Sequence, residues 1–189
     1  IKGTQPPDRT QWLNSTLIGG LLLLGGSGGV AYAEQWIGSG LAALMIATVP
    51  LWTVLFSAIW KHRPGRLEWT GLILGLAGVA ILNLEADLKA NPIGAAALII
   101  ASLSWAFGSA WSRRLSLPSG IMASAAEMIT GGALVLIVSL FAGEKISGTP
   151  TWQSVTAILY LGVFGSLVGF IAYMYLLEKV RPALATSYA

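Results

Sequence analysis

The chain alternates between long apolar runs and short polar segments. Six runs reach or approach the roughly 20 apolar residues that a helix needs to cross a bilayer. They are residues 16–33, 38–60, 69–84, 92–111, 119–142 and 154–177, and a seventh begins near Pro182. The third run is short, and Leu67 extends it or a thinner bilayer accommodates it. The pattern predicts an all-α polytopic membrane protein with about six transmembrane helices and the start of a seventh.

Composition agrees with this prediction and narrows the function. Of the 189 residues, 55% are hydrophobic and 10% are charged, with a mean hydropathy of +0.73. A soluble domain spends about a quarter of its residues on charge. The chain has no cysteine, which removes disulfides and cysteine-based metal sites. No phosphate-binding loop, dinucleotide fingerprint or zinc-protease motif occurs, so we expect no cofactor, no metal and no enzyme activity.

The basic residues predict the orientation in the membrane. One set of alternate loops holds Lys2, Arg9, Lys61, Arg63, Arg66, Arg113, Arg114, Lys179 and Arg181, and the other holds only Lys89 and Lys145. The positive-inside rule therefore predicts that the residue 1 side, the His62 loop, the Arg113–Arg114 loop and the Arg181 segment are cytoplasmic. The pI near 9.4 does not indicate nucleic acid, because these charges lie in short loops. The expected partner is the lipid bilayer, and a homodimer is left open.

One acid, Glu127, lies well inside the fifth apolar run. A charge in hydrocarbon costs several kcal/mol, so acids in membrane spans generally face a bundle interior or a wet cavity and indicate a functional site. Helical spacing places Ser124 and Thr130 on the same face as Glu127. We interpret Glu127 as a carboxylate for proton coupling or substrate binding. The alternative is a structural acid that bridges two helices through hydrogen bonds.

Three other side chains are candidates for a cavity. Trp52 and Trp105 lie inside apolar runs, away from the interfaces where tryptophan usually concentrates. Their side chains either contact neighbouring helices or lipid, or line a cavity. Tyr173 shares a helical face with Ser166 and Gly169, so its hydroxyl is a candidate to point into a cavity.

Proline and glycine predict where helices bend and pack. Pro50, in the middle of the second run, removes a backbone hydrogen bond and predicts a kink, either a hinge or a static bend. Thr48 and Thr53 are close enough to satisfy the freed carbonyls. Glycines at helical intervals predict close helix packing, notably at Gly71, Gly75, Gly162 and Gly169. The run 25–29, Gly-Gly-Ser-Gly-Gly, allows either an unwound segment that binds substrate or a tight helix crossing.

A weak internal repeat divides the chain. An offset of 143 residues superposes Gly19 on Gly162, Gly26 on Gly169, and Tyr32 on Tyr175, and the pairs 41/184 and 42/185 also match. Five spans separate the copies, so the two copies cross the membrane in opposite directions. Inverted repeats are a recurrent architecture of secondary transporters, with substrate sites near the midplane between the repeats.

Several stretches together resemble one family. They are Ala47-Thr48-Val49-Pro50-Leu51, Leu67-Glu68-Trp69, Ser104-Trp105-Ala106-Phe107-Gly108-Ser109, Ala142-Gly143-Glu144-Lys145 and Ala172-Tyr173-Met174-Tyr175-Leu176. The chain resembles the EamA-type drug/metabolite transporters along nearly its whole length. The segment Ala126-Glu127-Met128 also matches a family position that carries glutamate. Trp36-Ile37-Gly38-Ser39-Gly40 departs from the pattern, which usually has proline before Ser-Gly, so the start of the second span is in doubt.

The resemblance implies a ten-helix bundle of two inverted five-helix repeats in a bacterial inner membrane. On that template, residues 1–90 supply the last three helices of the first repeat, and residues 91–189 supply the first three of the second and the start of the next helix. Because the chain begins at Ile1 and stops inside an apolar stretch, we expect a fragment. The family implies export of small metabolites or drugs, driven by an ion gradient, with the substrate unknown. A membrane scaffold without cargo is the alternative.

Overall fold

The computed structural model describes residues 6–59, 65–83, 91–145 and 148–185. Their regular secondary structure is helical throughout, which confirms the all-α prediction. The helices are α1 (Arg9–Ala33), α2 (Ser39–Ile59), α3 (Arg66–Asn83), α4 (Pro92–Ser112), α5 (Ile121–Phe141), α6 (Trp152–Lys179) and α7 (Pro182–Ala185).

Five of these helices, α1, α2, α4, α5 and α6, are long and apolar enough to cross a membrane. The third predicted span coincides with α3, which is 18 residues long and is not one of the five. Polar residues occupy its two ends, with Arg66 and Glu68 at the start and Asn83 at the finish. The predicted end of this span, residue 84, lies outside the described residues.

Local capping places the start of α1 seven residues before the predicted position. The Asp8 side chain accepts a hydrogen bond from the Gln11 backbone N–H at 2.7 Å, and the Gln11 side chain accepts one from the Asp8 backbone N–H at 3.1 Å. This capping box satisfies two of the N–H groups that a helix start leaves without a partner. The helix therefore begins at Arg9 in a polar segment, whereas the apolar pattern predicted a start at residue 16.

The start of α5 also differs from the prediction, which began this span at Ser119. Gly120 has a φ of +57°, a left-handed value that residues with a Cβ rarely adopt. The backbone therefore becomes helical only at Ile121. Glu127 consequently lies in the second turn of α5, at the end of the bundle that carries Arg113.

Helix α2 is broken close to Pro50, as predicted. Its two parts are Ser39–Ile46 and Val49–Ile59, with a turn at Ala47 and Thr48. Thr48 Oγ1 donates to the Met45 carbonyl at 2.6 Å, and Ser102 Oγ from α4 donates to the same carbonyl at 3.3 Å. Side-chain hydroxyls therefore satisfy a carbonyl at the break, which is how a kink becomes tolerable inside a bilayer.

The side chains of the other candidate residues on α2 form hydrogen bonds within that helix. The half-buried Trp52 donates its indole N–H to Thr48 Oγ1 at 3.2 Å. Thr53 is fully buried, and its hydroxyl donates to the Val49 carbonyl at 2.9 Å. These contacts favour a packing role for Trp52 and Thr48 over a role in lining a cavity.

Helix α1 forms the centre of the described bundle. It packs against α4 on one side and α5 on the other, while α2 packs on α4, and α3 packs on the first part of α2. The main apolar core joins Ile18 and Leu22 of α1 to residues of α6 and α7, namely Phe170, Tyr173, Met174, Leu177 and Ala185. This core brings the two ends of the chain together around α1.

Two helices contain a π-helical segment in the middle. The segments are Gly20–Gly28 in α1 and Leu161–Phe170 in α6. Adding the offset of 143 residues to 20–28 gives 163–171, so the two segments nearly coincide in the repeat. π-Helical turns are rare and frequently mark functional sites. The structure thus gives the two sequence-related helices the same unusual backbone, although the division at residue 90 stays a prediction.

The glycine run 25–29 lies at the end of the first π segment and remains helical. An added Cβ on Gly26 would lie 2.5 Å from the Trp105 ring, and one on Gly29 would lie 3.0 Å from Ala101 Cβ. Both neighbours belong to α4. Of the two alternatives for this run, the structure therefore favours a tight helix crossing over an unwound segment.

Candidate functional site

Glu127 is buried without a hydrogen-bonding partner. Its residue exposure is 0%, and neither carboxyl oxygen has a partner in the described part of the chain. The only other buried side-chain polar atom of this kind among those residues is Ser15 Oγ on α1. Leaving a buried polar group unsatisfied costs free energy, so a carboxyl in this state calls for an explanation.

The backbones of α1 and α5 meet where Glu127 lies. A Cβ on Gly19 would be 2.5 Å from the Glu127 carbonyl oxygen, and a Cβ on Gly131 would be 2.6 Å from the Gly19 carbonyl oxygen. Only glycine permits such an approach at both positions.

Hydroxyl groups surround this crossing. Thr130 Oγ1 donates to the Ala126 carbonyl at 2.8 Å and lies 3.2 Å from the Ser15 carbonyl oxygen across the interface. Ser124 is buried one turn below, at 2% exposure. The structure thus brings Glu127, Thr130 and Ser124 onto one buried face, as predicted, and adds Ser15 from α1.

A separate cavity of about 160 Å³ lies between α1, α4, α5 and α6. It contains Trp105, Tyr173, Ser166 and Gly169, four residues that the sequence singled out. The described residues that line it are Leu23, Ser27, Trp105, Met128, Gly165, Ser166, Gly169, Phe170 and Tyr173. Both π segments contribute to this wall, so the cavity lies where the two repeat-related helices face each other.

Glu127 does not line this cavity, whereas the adjacent Met128 does. Successive residues of a helix point about 100° apart, so Met128 faces the cavity while Glu127 faces α1. The sequence left open whether Glu127 faces a bundle interior or a wet cavity. The structure separates the acid and the cavity on two faces of α5.

A hydrogen-bonded cluster closes one end of the cavity. The Trp105 indole N–H donates to the Tyr173 hydroxyl at 3.1 Å, and the Tyr173 hydroxyl is hydrogen bonded to Ser109 Oγ. Ser109 Oγ also donates to the Trp105 carbonyl at 2.7 Å, and Ser112 Oγ donates to the Ser109 carbonyl at 2.9 Å. These bonds tie α4 to α6.

A larger cavity of about 420 Å³ lies beyond the cluster, at the end of the bundle that carries Arg113. Its wall includes Ser112 and Arg113 at the end of α4 and Met174, Leu177 and Glu178 near the end of α6. Trp105 and Ser112 are seven residues apart on α4, which is about 10 Å along the helix axis. The Trp105–Ser109–Tyr173 cluster therefore separates the two cavities.

The glycines predicted to pack helices do not do so in the described parts of the chain. No heavy atom lies within 4 Å of an added Cβ at Gly71, Gly75 or Gly162, and at Gly169 the nearest is the Phe164 carbonyl of its own helix, at 3.4 Å. The closest contacts, under 3.0 Å, fall instead on Gly19, Gly25, Gly26, Gly94 and Gly131. Spacing identifies a stripe of small residues but not the helix that covers it, so packing at these four positions stays a prediction.

Sequence reasoning missed Ser15 and Ser109. Ser15 lay outside the first predicted span, because the capping box that extends α1 was not recognised. Ser109 stood at the end of the quoted motif Ser104-Trp105-Ala106-Phe107-Gly108-Ser109, but nothing in the spacing linked it to Tyr173, which is 64 residues away. In the described part of the chain, no group of three or more His, Cys, Asp or Glu could hold a metal ion.

The chain matches the model of the EamA-like transporter family over residues 1–84 and 92–189. It is 46% identical over 190 residues to the uncharacterized inner membrane transporter YedA of Escherichia coli (strain K12), covering 100% of this chain and 62% of YedA. It is 26% identical over 181 residues to the uncharacterized transporter YoaV of Bacillus subtilis (strain 168), covering 92% and 62%. The chain thus spans about three-fifths of the length of these relatives. No solved structure matches significantly.

Proposed function

Because this chain belongs to the EamA-like transporter family, we propose that it forms part of a proton-coupled secondary transporter that moves small molecules by alternating access. It is a multi-pass inner-membrane protein with a transport function, in keeping with the name of YedA. The observation that carries the proposal is Glu127, a fully buried acid without a partner at the α1–α5 crossing.

The energetics of Glu127 favour a coupling role over a structural one. A structural acid bridges helices through hydrogen bonds, and the Glu127 side chain makes none in the described chain. An ionised carboxylate without a partner in a membrane interior costs several kcal/mol, which binding a proton removes. Proton binding and release at Glu127 therefore changes the stability of the α1–α5 crossing by an amount large enough to shift a conformational equilibrium.

The contacts supply a path from Glu127 to the cavity. The Glu127 carbonyl abuts Gly19, and the π segment of α1 begins at the next residue, Gly20. Leu23 and Ser27 of that segment line the cavity of about 160 Å³. A shift of α1 against α5 thus reaches the cavity wall without direct contact between the acid and the substrate.

The Trp105–Ser109–Tyr173 cluster provides the inner gate in this proposal. It closes the smaller cavity from the larger one, which opens at the end that carries Arg113 and Arg114 and which we assign to the cytoplasm. Opening this gate requires α6 to move away from α4. The break of α2 at Pro50 is our candidate hinge, because it provides a flexible joint beside α4.

The experiment measures proton-coupled flux in proteoliposomes that contain the full-length protein. A trapped pH-sensitive dye reports proton movement when small aromatic, amino-acid and sugar compounds are added outside. We expect Glu127→Gln to lower substrate-dependent proton movement at least tenfold while substrate exchange persists. Glu34→Gln, a change at an exposed acid, serves as the control and leaves proton movement within twofold.

Unchanged proton movement and an unchanged pH profile in Glu127→Gln would remove the coupling role. Absence of flux for every compound tested would favour the alternative of a membrane scaffold. That alternative accounts for the glycine contacts at Gly19 and Gly131 but leaves the unpartnered acid and the cavity unexplained.

A further inference from the structure

We infer that the cavity between the two π segments binds compounds with a single aromatic ring that carries a hydroxyl or amino group and no negative charge. This inference rests on the proposed transport function and names its substrate class. The evidence is the size of the cavity, the side chains that surround it, their lack of charge, and the space that its glycines leave.

The volume sets the size of the ligand group. At about 160 Å³, the cavity is close to the apolar cavity of about 150 Å³ that binds benzene in an engineered protein. One ring of that size fills the described space. The cavity is open on the α6 side, where Gly165, Ser166 and Gly169 are exposed, so the volume matches one ring without limiting what the ring carries on that side.

The lining suits an aromatic ring. The rings of Trp105 and Tyr173 lie 5.9 Å apart at their centroids and are tilted by 54°, and those of Phe170 and Tyr173 lie 6.4 Å apart with the same tilt. These three rings form one side of the wall, and the Met128 thioether lies on another helix of the same cavity. Tilted ring contacts and sulfur–aromatic contacts are both favourable for a further ring that enters between them.

The side chains that line the cavity also indicate the charge of the ligand. Among the described residues, no acidic or basic side chain lines the cavity. The faces of aromatic rings carry negative partial charge, so they attract a cationic amine and oppose a carboxylate. Ser27 and Ser166 place one hydroxyl from each π segment at the wall, and each is able to donate to or accept from a hydroxyl or amino group.

Two glycines leave room for the ligand. An added Cβ at Gly165 would meet only Leu161 Cδ2, at 3.7 Å, and one at Gly169 would meet only the Phe164 carbonyl, at 3.4 Å. Larger side chains therefore fit the helix at these positions but would occupy the cavity. Gly162, one turn earlier on the same segment, lies outside the lining and has open space around it.

The test is equilibrium binding to the complete protein in lipid nanodiscs, with empty nanodiscs subtracted. The probes are benzylamine, benzyl alcohol, benzoate and cyclohexylmethanol. We expect the first two to bind, and benzoate and cyclohexylmethanol to bind at least tenfold more weakly. Gly165→Leu lowers benzyl alcohol affinity at least tenfold, whereas Gly162→Leu leaves it within twofold.

Two results with the unmodified protein would overturn the inference. One is that benzoate or cyclohexylmethanol binds as tightly as benzyl alcohol, and the other is that no probe binds. Unchanged affinity in a folded Gly165→Leu protein overturns the assignment to this cavity. Binding needs no proton gradient, so ring binding without proton-coupled flux would refute the proposed function alone. Flux of another substrate without ring binding would refute this inference alone.

Discussion

The two π segments occupy matching places in the repeat but have opposite surroundings. In Gly20–Gly28, an added Cβ at Gly26 would collide with Trp105, and the segment is wedged between α4 and α5. In Leu161–Phe170, the glycines at 162, 165 and 169 have open space or only their own helix around them. In the most apolar stretch of 18 residues, 6% of α6 is buried, against 28% of α1.

The same backbone irregularity therefore serves two purposes in this chain. On the α1 side, small residues let helices approach until backbones touch, which fixes the crossing beside Glu127. On the α6 side, the same residue type leaves a wall with room for a ligand. A substitution that adds one methyl group should therefore be costly on the first side and tolerated on the second.

The largest effect is expected at the α1–α5 crossing. Gly131→Ala places a Cβ 2.6 Å from the Gly19 carbonyl oxygen, where only a backbone shift relieves the clash. Overpacking of this kind costs about 3 kcal/mol of unfolding free energy. The neighbouring Gly132→Ala meets no atom within 4 Å and should be neutral or slightly stabilising. Reversible denaturation in mixed detergent micelles measures both, and equal losses would show that the crossing is not tight.

A smaller effect is expected at the repeat-related pair Gly26 and Gly169. Gly26→Ala places its Cβ 2.5 Å from the Trp105 ring and should cost roughly 1–2 kcal/mol, because a side chain yields more readily than a backbone. Gly169→Ala meets only the Phe164 carbonyl at 3.4 Å and should change stability by less than about 0.5 kcal/mol. The same denaturation assay measures both changes in unfolding free energy. A larger loss of stability for Gly169→Ala than for Gly26→Ala would contradict the difference between the two segments.

The smallest effect is expected for Ser104→Ala, which removes one hydrogen bond on the tight side. Ser104 Oγ donates to the Leu21 carbonyl at 2.8 Å, from α4 into the π segment of α1. Hydrogen bonds between membrane helices average about 0.6 kcal/mol, so we expect a loss of that order. Ser39→Ala at the exposed start of α2 is the control. A loss of unfolding free energy above about 2 kcal/mol would mean that this hydrogen bond, and not the glycine contacts, is the main interaction that packs the π segment of α1 against α4.

Much of the fold followed from the apolar pattern, because bilayer thickness dictates how long an apolar helix must be. The pattern located α2, α4, α5 and α6 to within a few residues, and Pro50 predicted the break in α2. The start of α1 was missed because the Asp8–Gln11 capping box, a local hydrogen-bond pattern, extends the helix into polar sequence.

The candidate site was only partly predictable. The cost of a charge in hydrocarbon identified Glu127, and helical spacing identified Thr130 and Ser124 beside it. Spacing along one helix does not reveal which face meets which neighbour, so the separation of Glu127 from the cavity was not foreseen. For the same reason, Ser109 was not linked to Tyr173, and the helices that would cover Gly71, Gly75, Gly162 and Gly169 could not be named.

Alternating access is tested most directly by measuring whether the cavity can be labelled from each side of the membrane. These 189 residues contain no cysteine, so Ser166→Cys introduces a single labelling site at the cavity wall once any cysteine elsewhere in the complete protein is changed to alanine. With oriented proteoliposomes of the complete protein, we predict that an impermeant maleimide labels this residue from either side, and that reversing the proton gradient moves the faster labelling to the opposite side. We predict that Glu127→Gln abolishes this change. Labelling from one side only, whatever the gradient, would contradict alternating access through this cavity.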